Sequence, residues 1–244
     1  MNITTKPVEY MDGKQKCVGY VAWDETYADP KPCVMVNHAW GGRDGFAEDK
    51  AIQMAAMGYI GFALDNYGDG VLHTSDEDCG AAMSALTDDR KVLLKRLKAG
   101  YKAAADLPMV DSSYMAAMGY CFGGLCTLDM VRAGLDLKAA VSFHGLLGTA
   151  NFATKKSKTK VLIAHGWDDP LAPPSDVTAL GHELTKAGCD WQLHIHGQTT
   201  HAFTNSGAPG NETFAYNADA DRRSWQNTID LLSEVFSLHG TDAV

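Results

Sequence analysis

The chain has 244 residues, with 30 acidic against 21 basic side chains and a formal charge of −9. That balance argues against a nucleic-acid partner, because affinity there comes largely from Lys and Arg neutralising phosphates. Apolar residues make up 45% and charged residues 21%, the composition of a globular protein, and one domain spanning 1–244 is expected. No apolar run reaches the length of about 18 residues that a membrane span needs, and the start, MNITTKPVEYMDG, lacks a signal-peptide core, so a cytoplasmic protein without a membrane partner is expected. Cys17, Cys33, Cys79, Cys121, Cys126 and Cys189 are scattered with no CxxC pair, which fits free thiols in a reducing compartment.

In chain order, short β-rich runs alternate with segments of helical spacing. The runs are KCVGYVAW, PCVMVNH, YIGFALD, YMAAMGY, KAAVSFHG, KVLIAHG and DWQLHIHG, and the helical segments are 45–57, 87–106, 122–134, 175–187 and 219–238. The first two runs, with Asp12-Gly13 among their turn chemistry, predict an antiparallel pair at one edge. Thr87 with Asp88 and Asp89 reads as a cap with an acidic first turn, and Ser175 with Asp176 opens a helix that Gly188 closes. Strand–helix alternation predicts an α/β fold, a mostly parallel central sheet flanked by helices. Ligands of such sheets sit beyond the carboxyl ends of the strands, so the residues just after each run are the ones to inspect.

After YMAAM stands Gly119-Tyr120-Cys121-Phe122-Gly123-Gly124, followed by a helical segment. This is the pattern of a nucleophile elbow with Cys in the nucleophile's place: a sharp strand-to-helix turn with glycines where side chains would collide. The helix N-terminus favours a thiolate and aims the Phe122 N–H at a developing oxyanion. Downstream, Trp167-Asp168-Asp169-Pro170 follows one run and His201 follows the last, which completes the order nucleophile, acid, base on one face of the sheet. Asp168 and Asp169 compete for the acid's role, and the D-P-x-x-P continuation favours Asp169. His194 and His196 share a strand face and form at most half a metal site; no metal and no cofactor is expected. His144 and His165 end runs and are pocket candidates, while His73, His182 and His239 have no distinguishing context.

Taken together, these segments resemble the dienelactone hydrolase family of α/β-hydrolases. The resemblance covers nearly the whole chain: the N-terminal hairpin, PCVMVNHAWGGRDGFA, the GYCFGG elbow, AVSFHG, HGWDDPLAPP, THAFTN and YNADADRRSWQ. It implies hydrolysis of small esters or lactones through an acyl-thioester, with Cys121 as nucleophile, Asp169 as orienting acid, His201 as base and the Ala39 and Phe122 N–H groups as oxyanion hole. Two departures matter. His38 stands where many members carry a Glu that helps activate the cysteine, so His38 either replaces it or leaves Cys121 to His201 alone. Asp69 and Asn205 stand where the prototype holds its substrate's carboxylate with two arginines, which disfavours an anionic substrate. Only Gly145 to Lys160 separates AVSFHG from KVLIAHG, too short for a cap domain. The expected site is therefore open and shallow, walled by Trp40, Tyr67, Phe122, Trp167 and Phe203 with His144 nearby. The expected partner is a small-molecule ester or lactone, and a monomer is expected. Competing readings are a promiscuous carboxylesterase or thioesterase, a non-catalytic binding protein on the same scaffold, and a redox sensor that needs a resolving partner for Cys121, with Cys126, five residues on, reading instead as a small buried hydrophobe in the helix.

Overall fold

The computed structural model describes residues 1–236; His239 and the end of the expected 219–238 helix lie outside the described residues. Eight strands form one sheet: β1 (Ile3–Asp12), β2 (Gln15–Asp24), β3 (Lys31–Asn37), β4 (Ile60–Ala63), β5 (Val110–Tyr120), β6 (Ala139–Phe143), β7 (Lys160–Gly166) and β8 (Asp190–His196). Their order is β1-β2-β4-β3-β5-β6-β7-β8, antiparallel at β1–β2 and β2–β4 and parallel from β4 onward. The helices are α1 (Gly45–Ala56), α2 (Asp76–Thr87), α3 (Arg90–Ala105), α4 (Phe122–Arg132), α5 (Pro174–Ala187) and α6 (Ala218–Phe236).

Period-two alternation in the strands sorts side chains into two cores, one on each face of the sheet. Met35 and Ala117 pack with Leu93, Leu97, Leu128 and Leu184 from α3, α4 and α5 on one face. Val34, Val36 and Met118 pack with Ala51, Met54, Leu231 and Leu232 from α1 and α6 on the other. Strands β4 and β6 are buried along their whole length, as strands covered on both faces must be. No regular element occurs between Phe143 and Lys160, so no cap covers the sheet's carboxyl edge.

Three local expectations are corrected. The run Pro32–His38 does not pair with β2; burial on both faces draws β3 between β4 and β5, and β2 instead pairs with an eighth strand, β1, through the Asp12-Gly13 turn. That strand was not legible as a run because it is an edge, with alternating polar residues and Pro7. Thr87 ends α2 rather than opening a helix: its hydroxyl bonds back to the Met83 carbonyl, while Ser75 caps α2 and Asp89 caps α3. At α5, Pro173 holds the cap position and Pro174 the first turn, with Gly188 closing the helix at φ 82°.

Candidate active site

The elbow is built by close backbone approach. A β-carbon at Gly119 would lie 2.0 Å from the Gly123 carbonyl oxygen, and one at Gly123 would lie 2.1 Å from that of Asn37. Between them Cys121 adopts φ 55°, a left-handed conformation that a residue with a β-carbon holds only when its surroundings compel it. Its carbonyl accepts the first amides of α4, from Gly124 and Leu125. The N–H groups of Phe122, at the first position of α4, and of Ala39 have no acceptor among the described residues.

The loops after β7 and β8 bring Asp169 and His201 together, and both are buried. His201 Nδ1 donates to Asp169 Oδ2 at 2.8 Å, and Asp169 Oδ1 accepts the Leu171 N–H at 2.9 Å. Asp168 is exposed and does not take part. The base's loop is itself fixed: His201 N–H bonds to the Thr213 carbonyl and its own carbonyl accepts from Ala215. His201 Nε2 has no oxygen or nitrogen partner. Burial opposes a charge on the imidazole, but hydrogen bonding and charge from Asp169 and from the Cys121 sulfur outweigh it and raise its pKa from 6.5 to about 9. The arrangement is a cysteine beside a histidine that is charged at neutral pH and braced by a carboxylate, suited to acyl transfer.

His38 is buried and neither of its ring nitrogens is available to Cys121. Nδ1 donates to the Ala39 carbonyl, and Nε2 accepts the Asn66 N–H at 3.1 Å. Burial pushes its pKa down. The neutral ring therefore braces the loop after β3 against the loop after β4, which favours, of the two expectations for His38, the one in which it does not act on Cys121. The metal reading of β8 meets a similar obstacle, since His194 is already bonded by Asn227 and by Gln192.

These groups open onto a cleft of about 910 Å³. Ala39, Trp40, Cys121, His144 and His201 line it; Tyr67, Phe122, Trp167 and Phe203 do not. Phe122 and Phe203 are fully buried core, one on each face of the sheet, and Trp167 is exposed outside the cleft. Tyr67 acts at one remove, stacked on Phe122 with its hydroxyl donating to the Trp40 carbonyl. His165, the other histidine expected near the pocket, is buried beside Asp169 and His201 without lining the cleft. The walls that the sequence did not reveal are Phe46, Met83, Leu146, Leu171 and Phe214, brought together from segments far apart in the chain. Asp44 and Asp76 are the fixed charges among the cleft's described lining, and no Lys or Arg is among them. Asn205 lines the cleft, but Asp69 turns away to accept from Gln15 at 2.8 Å.

The sequence pattern of the dienelactone hydrolase family matches residues 18–236. A solved structure named m3DLH is 31% identical, with a TM-score of 0.91 over 97% of this chain and 100% of that one. A dienelactone hydrolase-like promiscuous phosphotriesterase from metagenomic libraries is 34% identical, with a TM-score of 0.90 over the same shares of each chain. An uncharacterized protein of Caenorhabditis elegans is 33% identical over 158 residues, 62% of this chain and 100% of that one.

Proposed function

The chain belongs to the dienelactone hydrolase family and is a carboxylic ester hydrolase, and from that premise we propose that Cys121, His201 and Asp169 carry the reaction through an acyl-thioester. The observation that carries this reading is the 2.8 Å hydrogen bond from His201 Nδ1 to Asp169 Oδ2, with His201 and Cys121 lining one cleft. Cys121 Sγ, its proton already held on His201 Nε2, attacks the acyl carbon as the thiolate. The carbonyl electron pair moves onto oxygen, where the Ala39 and Phe122 N–H groups stabilise it; one such donor is commonly worth about 3–4 kcal/mol. When that pair returns, the bond to the leaving oxygen breaks, and the leaving group takes the proton from His201. Water then loses a proton to His201 and attacks the thioester, releasing the acid and restoring the thiolate beside the charged imidazole. Asp169 holds the Nδ1–H tautomer throughout. With His38 occupied on backbone groups, His201 alone activates the cysteine.

The substrates this cleft suits are neutral or cationic small esters and lactones, because Asp44 and Asp76 repel an anion and no lining Lys or Arg attracts one. The same observation favours a second reading, neutral phosphotriesters, the class named for the metagenomic relative. Rapid quenching with a p-nitrophenyl ester and intact-mass measurement test the mechanism. A burst of p-nitrophenol together with an adduct of one acyl group on Cys121 is expected. Full turnover by Cys121→Ala would overturn it. A p-nitrophenyl dialkyl phosphate in the same assay tests the second reading.

A further inference from the structure

The turn that follows β6 touches both halves of the reacting pair. On one side it brackets the nucleophile's backbone: Cys121 N–H donates to the Phe143 carbonyl at 3.1 Å, and Leu146 N–H donates to the Cys121 carbonyl at 3.4 Å. On the other side His144, between them, reaches the loop that carries the base. Its Nε2 meets Thr204 Oγ1 at 2.8 Å, three residues beyond His201. Its ring lies 5.0 Å from the His201 ring at 68° and 5.1 Å from Phe203 at 79°. His144 is buried and holds φ 36°, a left-handed backbone that a residue with a β-carbon keeps only where its surroundings over-determine it.

We propose that His144 is a positioning residue for the base: through Thr204 it ties the nucleophile's turn to the base's loop and holds Cys121 and His201 at one separation. This rests on the reading of Cys121 and His201 as nucleophile and base. Burial and the nearby His201 charge keep the His144 ring neutral, and its Nε2 and the Thr204 hydroxyl share one hydrogen bond. A neutral ring beside a charged one avoids the repulsion that two imidazolium groups would suffer at this distance. The other ionisable groups acting on His201 are Asp169, Cys121 and His165. Without the tether, the 201–205 loop has one fewer anchor, and the imidazole loses alignment with both the thiol and the Asp169 carboxylate.

Two readouts test this. The pH profile of Cys121 alkylation by iodoacetamide reports the imidazole–thiol pair without turnover, and kcat and KM for p-nitrophenyl butyrate report the chemistry. Thr204→Val, nearly isosteric, and His144→Phe are expected to lower kcat about 10- to 100-fold with little change in KM. Both are expected to move the upper inflection of the alkylation profile down by about one unit. Thr204→Ser and His144→Gln, which restore a hydrogen-bonding group at the same reach, should recover most of the lost rate. An unshifted inflection in Thr204→Val, or a Thr204→Ser variant as impaired as Thr204→Val, would overturn the tether. Failure of the wild-type enzyme to hydrolyse any ester would defeat the hydrolase mechanism instead, and the alkylation profile would still decide the role of His144.

Discussion

The side of the cleft that holds His201 and Asp169 is buried and tied at both ends of each loop, whereas the wall bearing Trp40, Asp44 and Asp76 is exposed. Asp44 spends one oxygen capping α1 through the Ala47 N–H. In the first region Asp169, His144 and the backbone of His201 are each held by a partner. The second carries fewer such ties. On the proposed mechanism, chemistry depends on the buried side and selectivity on the more exposed one.

The largest effects should come from the rigid side. Cys121→Ala should abolish ester turnover, and Asp169→Asn should cost about 10³–10⁴ in kcat while Asp168→Asn costs little. Steady-state kinetics on the two Asn variants check this, and equal losses would erase the distinction between the acids. Gly123→Ala should destabilise the fold by about 1–3 kcal/mol or more as well as inactivating it, since the added carbon meets backbone oxygen that cannot swing away. Denaturant unfolding measures it.

A smaller effect, and one that reads the pair directly, concerns pH. On the proposed mechanism His201 must be charged to protonate the leaving group, so kcat/KM should fall as pH rises through about 9, and Asp169→Asn should bring that limb lower. The same raised pKa carries a stability signature: the contribution is fully present below pH 6.5 and is lost as pH rises through about 9. Melting temperatures across that window should therefore drop in the wild type more than in His201→Gln.

The smallest effects belong to the open wall. Asp44→Asn and Asp76→Asn should each improve kcat/KM for an anionic ester relative to its neutral isostere by about two- to fivefold at low ionic strength, a gain that salt removes. Neutral-ester kinetics should stay level, and a change there would mean this wall is not the passive boundary described.

The rigid side was far more legible in the sequence than the wall. Cys121 announces itself through Gly119 and Gly123, because a sharp turn with close backbone approach leaves few residue types possible. Asp169 and His201 were readable because each follows a strand run directly, so topology alone puts them on one edge of the sheet. Asp169 could be preferred over Asp168 only by turn chemistry; the 2.8 Å contact with His201 depends on which way the chain turns after β7. The wall had no such signal. Phe203 and Trp40 look alike as aromatic residues in a loop, yet Phe203 faces the core with α6 and Trp40 faces the cleft. Leu171 and Phe214 line the cleft from loops that carry no periodicity to reveal it. His38 shows the same limit, since its role is decided by the Asn66 amide, which reaches it from the neighbouring strand's loop.

What the sequence determined alone is therefore what depends on short-range chemistry: the alternation that yields a parallel sheet, the elbow, and the order of three residues just beyond strand ends. What only the tertiary structure decided depends on which distant segments meet. It made β3 a central strand, turned His38 into a brace, swung Asp69 away from the cleft and joined His144 to Thr204 across 60 residues of chain. The physical reason is that backbone geometry and capping are settled within a few residues. Burial and hydrogen-bond partners are instead settled by packing, whose contacts have no fixed sequence spacing to read.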